Sequence, residues 1–380
     1  MKKLEEILTK EYLLDCLRRG LSQHDIAKEV FERHKKRISR SSVFYWLRKR
    51  GLVGDDRNKV IYPSFAYKEV FANSNILQDV VNEVKLLQKE NLENVKIKNN
   101  VLHVLISDTH AGFLYDRLGA NNYKDVLTKR FDKLYNEIRK KIINYSINPT
   151  KIVVNLLGDL VDGVNIYPAQ KEYTNNIVLD QVEFMTQILT KFIISLYEYT
   201  EEIDVVCVMG NHGRLKDLER ANWDTFIYYS LKNIFDLLYQ RDEMKIMVYY
   251  NDQFFLIYNE YETGHRILLH HGHKIKKNAL SHIRNFISEI NLREEFNKDD
   301  FDIMLYGHVH QARYFSSMNK HYISNGTMYD TKHFTYDIAY PNTLTSVLFV
   351  STKQNPVESI FLIPLEDKEF YQNDDMLVIN

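Results

Sequence analysis

Five short blocks of Asp, Asn and His residues follow one another along the 380-residue chain, each directly after an apolar run. The blocks are ISDTHAG (106–112), GDLVDG (158–163), MGNHGR (209–214), LLHHGHK (268–274) and YGHVHQA (306–312). Apolar, β-branched runs of this kind predict strands, and an open α/β sheet binds ligands where its strands end. The five blocks therefore predict one site built from several strand ends.

These residue types suit a pair of divalent metal ions acting on a phosphate ester. Two ions roughly 3.5–4 Å apart acidify a shared water and hold the attacking and leaving oxygens. Carboxylate and amide oxygens together with neutral imidazoles are ligands for Mn, Fe, Zn and similar ions. The ligands that we expect are Asp108, His110, Asp159, Asn211, His271, His308 and His310. His270 and His273 flank His271 and could replace it, but His271 heads the HGH turn.

The blocks resemble the motifs of the calcineurin-like metallophosphoesterases, which are D-x-H, GDxxD, GNH, a His in an HG turn, and G-H-x-H. The resemblance covers roughly residues 100 to 350. It implies that His212 stands near the leaving group as a proton donor or charge stabiliser, and that Asp162 orients the loop and its histidines. The implied ligand sets are Asp108, His110, Asp159 and His310 for one ion, and Asp159, Asn211, His271 and His308 for the other.

Two departures from the family pattern bear on the substrate. Gly213 and Arg214 follow the GNH histidine, where the family usually has an acidic residue. Arg214 could contact a substrate phosphate through its planar fork, or it could be an ordinary exposed arginine. Gly163 replaces the arginine that follows GDxxD in the protein phosphatases of the superfamily, which argues against a phosphoserine phosphatase.

The segment GDLVDGVNIYPAQ (158–170) is similar to one in the small exonuclease subunit of archaeal D-family DNA polymerases, where Gly-x-x-Tyr-Pro-x-Gln follows GDxxD. Tyr167, Pro168 and Gln170 carry the match. The alternative is a well-packed connection before the next helix. The similarity favours nucleic acid as the substrate class.

The first sixty residues are basic, whereas the rest of the chain is mildly acidic. Residues 1–60 hold 16 Lys and Arg against 9 Asp and Glu, a net charge of about +7, while the whole chain holds 50 against 51. Segregated positive charge suggests a polyanionic partner. Three helices are predicted, over KEYLLDCLRRG, LSQHDIAKEVFERH and ISRSSVFYWLRKRG, and together they resemble a helix-turn-helix of the resolvase or homeodomain-like kind.

In such a module the third helix enters the major groove of DNA. The expected contacts are Arg40, Ser42, Tyr45, Arg48 and Lys49. The connection ERHKKR (32–37) is longer than the tight turn of the simplest motif. The alternative is a small three-helix module that binds a protein partner.

The rest of the composition sets broad limits. The two cysteines, Cys16 and Cys207, indicate neither a disulfide framework nor a thiolate metal cluster. No apolar stretch reaches membrane-spanning length, and MKKLEEIL does not resemble a signal peptide, so we expect a cytoplasmic protein that does not contact a membrane. The richness in Lys, Asn, Ile and Tyr fits an AT-rich coding source such as a bacterium or phage.

We predict four regions: a helix-turn-helix domain (1–58), a helical linker (59–99), a metallophosphoesterase domain (100–366) and a tail (367–380). In the linker, apolar residues recur at helical spacing, so it could pack on the catalytic domain or mediate a homodimer or protein contact. The resemblance implies an α/β fold, a four-layer sandwich of two mixed β-sheets flanked by helices. Strands are expected over 101–107, 151–157, 204–209, 245–258, 266–271, 302–307 and 344–362, and helices over 124–145, 177–199, 221–240 and 277–296.

Three functions fit these patterns. The first is a DNA nuclease with two divalent ions, Mn²⁺ by preference and Fe, Zn, Ni or Mg as alternatives. The second is a phosphodiesterase of small nucleotides or nucleic-acid ends, with the amino-terminal module binding a protein. The third is a DNA-binding regulator with a vestigial metal site, which the full ligand set disfavours.

Overall fold

The computed structural model describes most of the chain from residue 100 onward and parts of the segment before it. The chain divides into two compact units, Met1–Asp79 and Val80–Asn380. The described residues are 7–9, 12–13, 16, 23–34, 38, 42–43, 46, 81, 84–85, 100–114, 123–164, 166–167, 170, 174–175, 177–215, 218–251, 253–273, 275, 301–317, 319–329 and 344–365.

The amino-terminal unit has an apolar core of its own. Helix α1 (Gln23–His34) places Ile26 and Val30 on one face, one turn apart, where they pack into that core. The other buried members are Ile7, Leu8, Leu13, Cys16 and Val43. Helix α1 coincides with the second helix predicted for this region, but the helix-turn-helix stays a prediction. Among its expected DNA contacts Ser42 is described and helical, whereas Arg40, Tyr45, Arg48 and Lys49 lie outside the described residues.

The larger unit contains two mixed β-sheets, which confirms the predicted α/β sandwich. The first sheet has the strand order β13-β12-β1-β2-β3-β6, and the second has the order β10-β11-β9-β8-β7. In chain order their strands are β1 (Asn100–Ile106), β2 (Lys151–Leu156), β3 (Ile203–Cys207), β6 (Ile246–Tyr249), β7 (Phe255–Glu260), β8 (His265–His270), β9 (Ile303–Tyr306), β10 (Arg313–Ser317), β11 (Lys320–Ser324), β12 (Thr345–Thr352) and β13 (Ser359–Pro364). A separate hairpin pairs β4 (Arg214–Leu215) with β5 (Leu218–Asn222).

Parallel strands form the centre of both sheets. β1, β2, β3 and β6 are parallel neighbours, as are β8, β9 and β11. Helices α2 (Tyr123–Asn144), α3 (Val178–Leu196) and α4 (Trp223–Gln240) connect the parallel strands of the first sheet. Every residue of β1, β2 and β3 is buried, as expected for a parallel sheet that is covered on both faces.

The main core lies between the two sheets. Leu105, Val153 and Val206 of the first sheet pack in one cluster with Leu269 and Leu305 of the second. The second sheet also carries an apolar cluster that includes Leu268, Met304 and Tyr306, which alternate with the inward-facing residues. The helix predicted over 277–296 lies outside the described residues. No helix in the described part of the chain has the length and apolar character needed to cross a membrane.

Two of the predicted strands were wrong because each is in fact two strands. The segment 245–258 turns between β6 and β7, where Asn251 Oδ1 accepts the Gln253 N–H at 3.0 Å and the Asn251 amide donates to the Phe255 carbonyl at 3.1 Å. The segment 344–362 contains β12, a turn and β13, which pair antiparallel. In that turn Thr352 Oγ1 accepts the Asn355 N–H at 3.1 Å. Side-chain hydrogen bonds of Asn and Thr commonly initiate such turns.

Candidate metal centre

The five motif blocks meet at one edge of the two sheets. Three of them follow the parallel strands β1, β2 and β3, and the other two follow the parallel strands β8 and β9. Backbone hydrogen bonds join neighbouring loops. Asp108 N donates to the Gly158 carbonyl and His110 N to the Asp159 carbonyl, both at 3.1 Å, while Gly307 N donates to the His271 carbonyl at 2.9 Å. The carboxyl ends of the strands therefore hold the motifs in a fixed arrangement.

The loops after β2 and β3 touch backbone to backbone. A Cβ atom on Gly158 would lie 2.4 Å from Gly210 N, and one on Gly210 would lie 2.1 Å from Asp159 N. Gly158 also has a φ of +86°, which glycine adopts without strain. These two positions require glycine because a side chain would push the loops apart.

The seven expected metal ligands come together in this region. Among the described residues, three groups have all their ligand atoms within 4.8 Å of one another. Two consist of expected ligands only, Asp108, His110 and His310 in one and Asp159, His271 and His308 in the other, and the third joins His110 to Asp162 and His212. Asn211 is next to them, because the following residue, His212, donates its N–H to Asp159 Oδ1 at 2.7 Å.

The structure brings His271 into the group rather than its neighbours. His271 Nε2 lies 2.9 Å from Asp159 Oδ2 and 3.3 Å from His308 Nδ1. Its other ring nitrogen, Nδ1, lies 2.7 Å from the Leu157 carbonyl, so it is the donor there, and Nε2 is left to face the group. His270 instead accepts the Gly272 N–H at 2.7 Å and stacks on His273.

Backbone strain is concentrated in the same residues. The described part of the chain has eight non-glycine residues with positive φ, and five of them are expected ligands. They are Asp108, His110, Asp159, His308 and His310, with φ values between 44° and 66°. Such conformations cost roughly 1–3 kcal/mol each and are commonest at functional sites. The motif spacing does not reveal this concentration of positive φ values.

Two buried polar atoms indicate that the group fits a metal ion. Among the described residues, thirteen buried polar side-chain atoms lack a hydrogen-bond partner, and two of them, Asn211 Oδ1 and His110 Nε2, belong to expected ligands. The Asn211 amide nitrogen donates to Tyr167 Oη at 2.7 Å, which fixes the amide orientation and leaves Oδ1 as the unsatisfied atom. Leaving a buried polar atom unpaired is costly, and an oxygen and an imidazole nitrogen are both ligands of divalent ions, so a bound ion would satisfy these two atoms.

The charges of the cluster balance each other in the ion-free protein. Burial opposes the ionisation of Asp108, but His310 outweighs it and lowers the Asp108 pKa to about 2. Burial likewise disfavours a charged His271, but the Asp159 carboxylate raises the His271 pKa to about 9. Burial and the charge of His271 together lower the His308 pKa to about 4. A proton on His271 thus supplies the positive charge that a metal ion would bring, and an ion must displace it.

Asp162 connects the cluster to His212. Asp162 Oδ1 lies 3.2 Å from His110 Nδ1 and 3.2 Å from His212 Nδ1. Burial disfavours protonated His212, but the charge of Asp159 and the hydrogen bond to Asp162 raise its pKa to about 9. The His212 ring is partly exposed and, in the ion-free protein, protonated at neutral pH, so it has a proton to donate at the mouth of the cluster.

Gln170 explains the sequence pattern that follows GDxxD. Its Oε1 accepts the N–H groups of Ile166 and Tyr167 at 2.8 and 3.3 Å, and its Nε2 donates to the Asp162 carbonyl at 2.5 Å. This loop brings Tyr167 to Asn211 and places its ring 4.9 Å from that of His212. Pro168 lies outside the described residues.

Arg214 stands at the exposed edge of the same group. Its Nη2 donates to Tyr167 Oη at 3.3 Å, and the guanidinium lies 5.9 Å from the centre of the tyrosine ring. The side chain is exposed and can present its other N–H donors to a phosphate.

Sequence reasoning missed two parts of the site. Tyr329 lies with its ring 4.6 Å from that of His110, although nothing in the sequence around it marks it as a site residue. Asn222 and Asp224 lie at the start of helix α4. Between them they contact the loop after β2 and the loop after β3 (the central loops). The Asn222 side chain caps the helix by accepting the Asp224 N–H at 2.9 Å, a role that Asn before an apolar pattern can suggest. Nothing local in the sequence points to the partners of the Asp224 carboxylate.

Comparison with known proteins places these motifs in a family. The sequence model of the calcineurin-like phosphoesterases matches residues 103–312, which span all five motif blocks. No curated protein matches the chain significantly.

Among solved structures, the chain is similar to a conserved predicted phosphoesterase from Streptococcus pneumoniae TIGR4, with 13% identity, 70% of this chain and 99% of that chain covered, and a TM-score of 0.28. It is similar to a novel archaeal phosphodiesterase with 14% identity, 69% and 99% coverage, and a TM-score of 0.30. It is also similar to the phosphoesterase YfcE from E. coli with 13% identity, 69% and 99% coverage, and a TM-score of 0.30. Likeness this distant does not indicate a substrate.

Proposed function

This chain belongs to the calcineurin-like phosphoesterase family, and we propose that it is a two-metal phosphodiesterase that hydrolyses DNA. Family membership supports a metal-dependent hydrolase. The observation that carries the proposal is the grouping of six expected ligands from four loops in two compact sets, with Asn211 of a fifth loop beside them and unsatisfied atoms at Asn211 and His110.

In this proposal Asp159 would serve both ions. Asp108, His110, Asp159 and His310 would hold one ion, and Asp159, Asn211, His271 and His308 would hold the other. Mn²⁺ suits a mixed set of carboxylate, amide and imidazole ligands without thiolates. When bound, two such ions neutralise phosphate charge and acidify a water in the site.

The protein's own residues manage the leaving group. His212 donates a proton to the departing oxygen, because it is protonated at neutral pH and partly exposed beside the cluster. Asp162 holds the ring through Nδ1, so the donating nitrogen is Nε2. A group that donates a proton to an alkoxide works on many esters, and the substrate must therefore be selected elsewhere.

Two features favour nucleic acid as the substrate. Tyr167 and Arg214 are exposed beside the metal-ligand group. A nucleic-acid base can stack on the Tyr167 ring, and the Arg214 guanidinium can donate two hydrogen bonds to a phosphate. In the amino-terminal segment, the net charge of about +7 over residues 1–60 suits a polyanion. The expected contacts of that segment with DNA are Arg40, Ser42, Tyr45, Arg48 and Lys49.

A substrate panel with the Mn²⁺-loaded full chain tests this proposal. We expect hydrolysis of labelled DNA with a kcat/KM well above that for RNA, cyclic nucleotides or bis-p-nitrophenyl phosphate.

Replacing Arg48, Lys49 and Arg50 together by Ala should raise the KM for long DNA and flatten its salt dependence. Each lost phosphate contact lowers the slope of the logarithm of the DNA-binding constant against the logarithm of salt concentration by about 0.9. Bis-p-nitrophenyl phosphate serves as the control, since the triple variant should hydrolyse it as fast as the wild type does. Hydrolysis of small nucleotides alone, with no DNA cleavage, would favour the small-nucleotide function instead.

A further inference from the structure

A single buried carboxylate binds the two central loops of the metal centre. Asp224 is the second residue of helix α4 and is completely buried. Its Oδ2 accepts the N–H of Asp159 at 3.0 Å and the N–H of Gly210 at 2.9 Å, and its Oδ1 accepts the N–H of Leu160 at 3.1 Å. Two of these donors lie in the loop after β2 and the third lies in the loop after β3.

Asn222 adds a second connection between helix α4 and the loop after β3. Its side-chain amide donates to the Gly210 carbonyl at 2.7 Å, while its Oδ1 caps the helix at Asp224 N. Both polar groups of Gly210 are thus held by helix α4. The start of this helix is fixed in turn by the Trp223 N–H, which donates to the Gly213 carbonyl at 2.7 Å.

The three amides that Asp224 accepts belong to residues that position ligands or are themselves ligands. Asp159 is the proposed bridging residue, and Gly210 directly precedes Asn211. Asp159 also has a φ of +52°, a conformation that needs support from its surroundings. Hydrogen bonds to an ionised acceptor are about twice as strong as those between neutral groups, so this carboxylate is well suited to that role.

We propose that Asp224 is a positioning residue that fixes the loop carrying Asp159 against the loop carrying Asn211, and thereby sets the spacing of the two metal sites. This role rests on the proposed two-metal centre. Asp224 touches neither substrate nor ion; it acts through the backbone amides of the ligand loops. Groups that orient metal ligands in this way commonly change metal affinity by 10–100-fold when they are replaced.

The first test uses the ion-free protein and the substitution Asp224→Asn. An amide has one acceptor oxygen, and its NH₂ group would face a backbone N–H, so at least one of the three hydrogen bonds must be lost. In hydrogen–deuterium exchange we expect faster exchange in peptides covering 158–161 and 209–212. Unchanged protection in both peptides would overturn the role without reference to any metal.

The second test measures Mn²⁺ binding and the exchange coupling of the two ions by electron paramagnetic resonance. In Asp224→Asn we expect about 10–100-fold weaker binding of at least one ion and an altered coupling, which reports the distance between ions. Asp224→Glu, which keeps the charge but lengthens the side chain, should fold and also alter the coupling, so the test survives if the Asn variant fails to fold.

Glu260→Gln is the matched control. Glu260 is also a buried carboxylate with side-chain hydrogen bonds, from Thr263 at 2.7 Å and Ser351 at 2.9 Å, but it lies at the other end of the second sheet. The Glu260→Gln substitution should lower the Tm of the protein and leave Mn²⁺ binding and the coupling of the two ions unchanged. Wild-type coupling in both Asp224 variants would overturn the role of Asp224 while leaving the metal centre intact. A wild-type protein that binds fewer than two ions would overturn the metal centre and, with it, this role.

Discussion

Replacing His212 by Ala should lower kcat by about 10²–10⁴-fold while both metal ions stay bound, because loss of a general acid typically costs this much. His212 is not among the proposed ligands, and its ring is held by Asp162 at the mouth of the cluster. The measurements are kcat on a diester with a poor leaving group and the metal content of the purified variant.

The leaving group and the pH provide the controls. With a good leaving group such as p-nitrophenolate, which needs little protonation, the loss should be much smaller. In the wild type, turnover should fall at alkaline pH as His212 loses its proton, and this decrease should be absent in the variant. The His212 pKa of about 9 is that of the ion-free protein, and the positive charge of the bound ions should move the decrease to lower pH. His321→Ala, which removes a histidine from strand β11, should resemble the wild type. Loss of both ions from the His212 variant would contradict the assignment and make His212 a ligand.

Replacing Asp159 by Asn should weaken both metal sites together and abolish measurable hydrolysis. One carboxylate serves both proposed ions, whereas any other single ligand serves one. Replacing a residue that only hydrogen-bonds to a metal ligand typically lowers metal affinity 10–100-fold. For a shared ligand we therefore expect binding weaker by at least about 10²-fold. Calorimetric titration with Mn²⁺ gives the stoichiometry and both affinities.

The comparison with Asp108→Asn makes this test specific to bridging. Asp108 belongs to one proposed ligand set only. Its substitution should weaken the binding of one ion and leave the other ion bound with nearly wild-type affinity. Two ions bound with wild-type affinity in Asp159→Asn, or loss of a single ion there, would rule out Asp159 as the shared ligand.

The parts of the site that depend on strand order could be predicted from sequence. Asp108, Asp159 and Asn211 each follow an apolar run, and the ends of parallel strands meet at one sheet edge. The helix bounds for α2 and α4 were predicted to within about two residues, because their apolar residues recur at helical spacing.

Long-range contacts could not be predicted in this way. Asp224 accepts hydrogen bonds from residues 64 and 65 positions earlier in the chain, and no local pattern encodes such a pairing. Strands β10 and β11 were not predicted, because exposed and polar residues interrupt the apolar alternation of β10. The HGH turn favoured His271 over His270 in the sequence, but the contacts of the two rings were not predictable. Successive side chains at the end of β8 point to opposite faces, which separates His270 from the metal-ligand group.

Titration of the metal-free protein with Mn²⁺, while diester hydrolysis is followed in the same samples, tests the two-metal centre most directly. We expect no hydrolysis after chelation, full activity at two ions per chain, and release of protons on binding. The apparent affinity should rise with pH up to about 9, because the ion must displace the proton that Asp159 holds on His271. Saturation at one ion per chain, or hydrolysis that survives chelation, would contradict a two-metal phosphodiesterase.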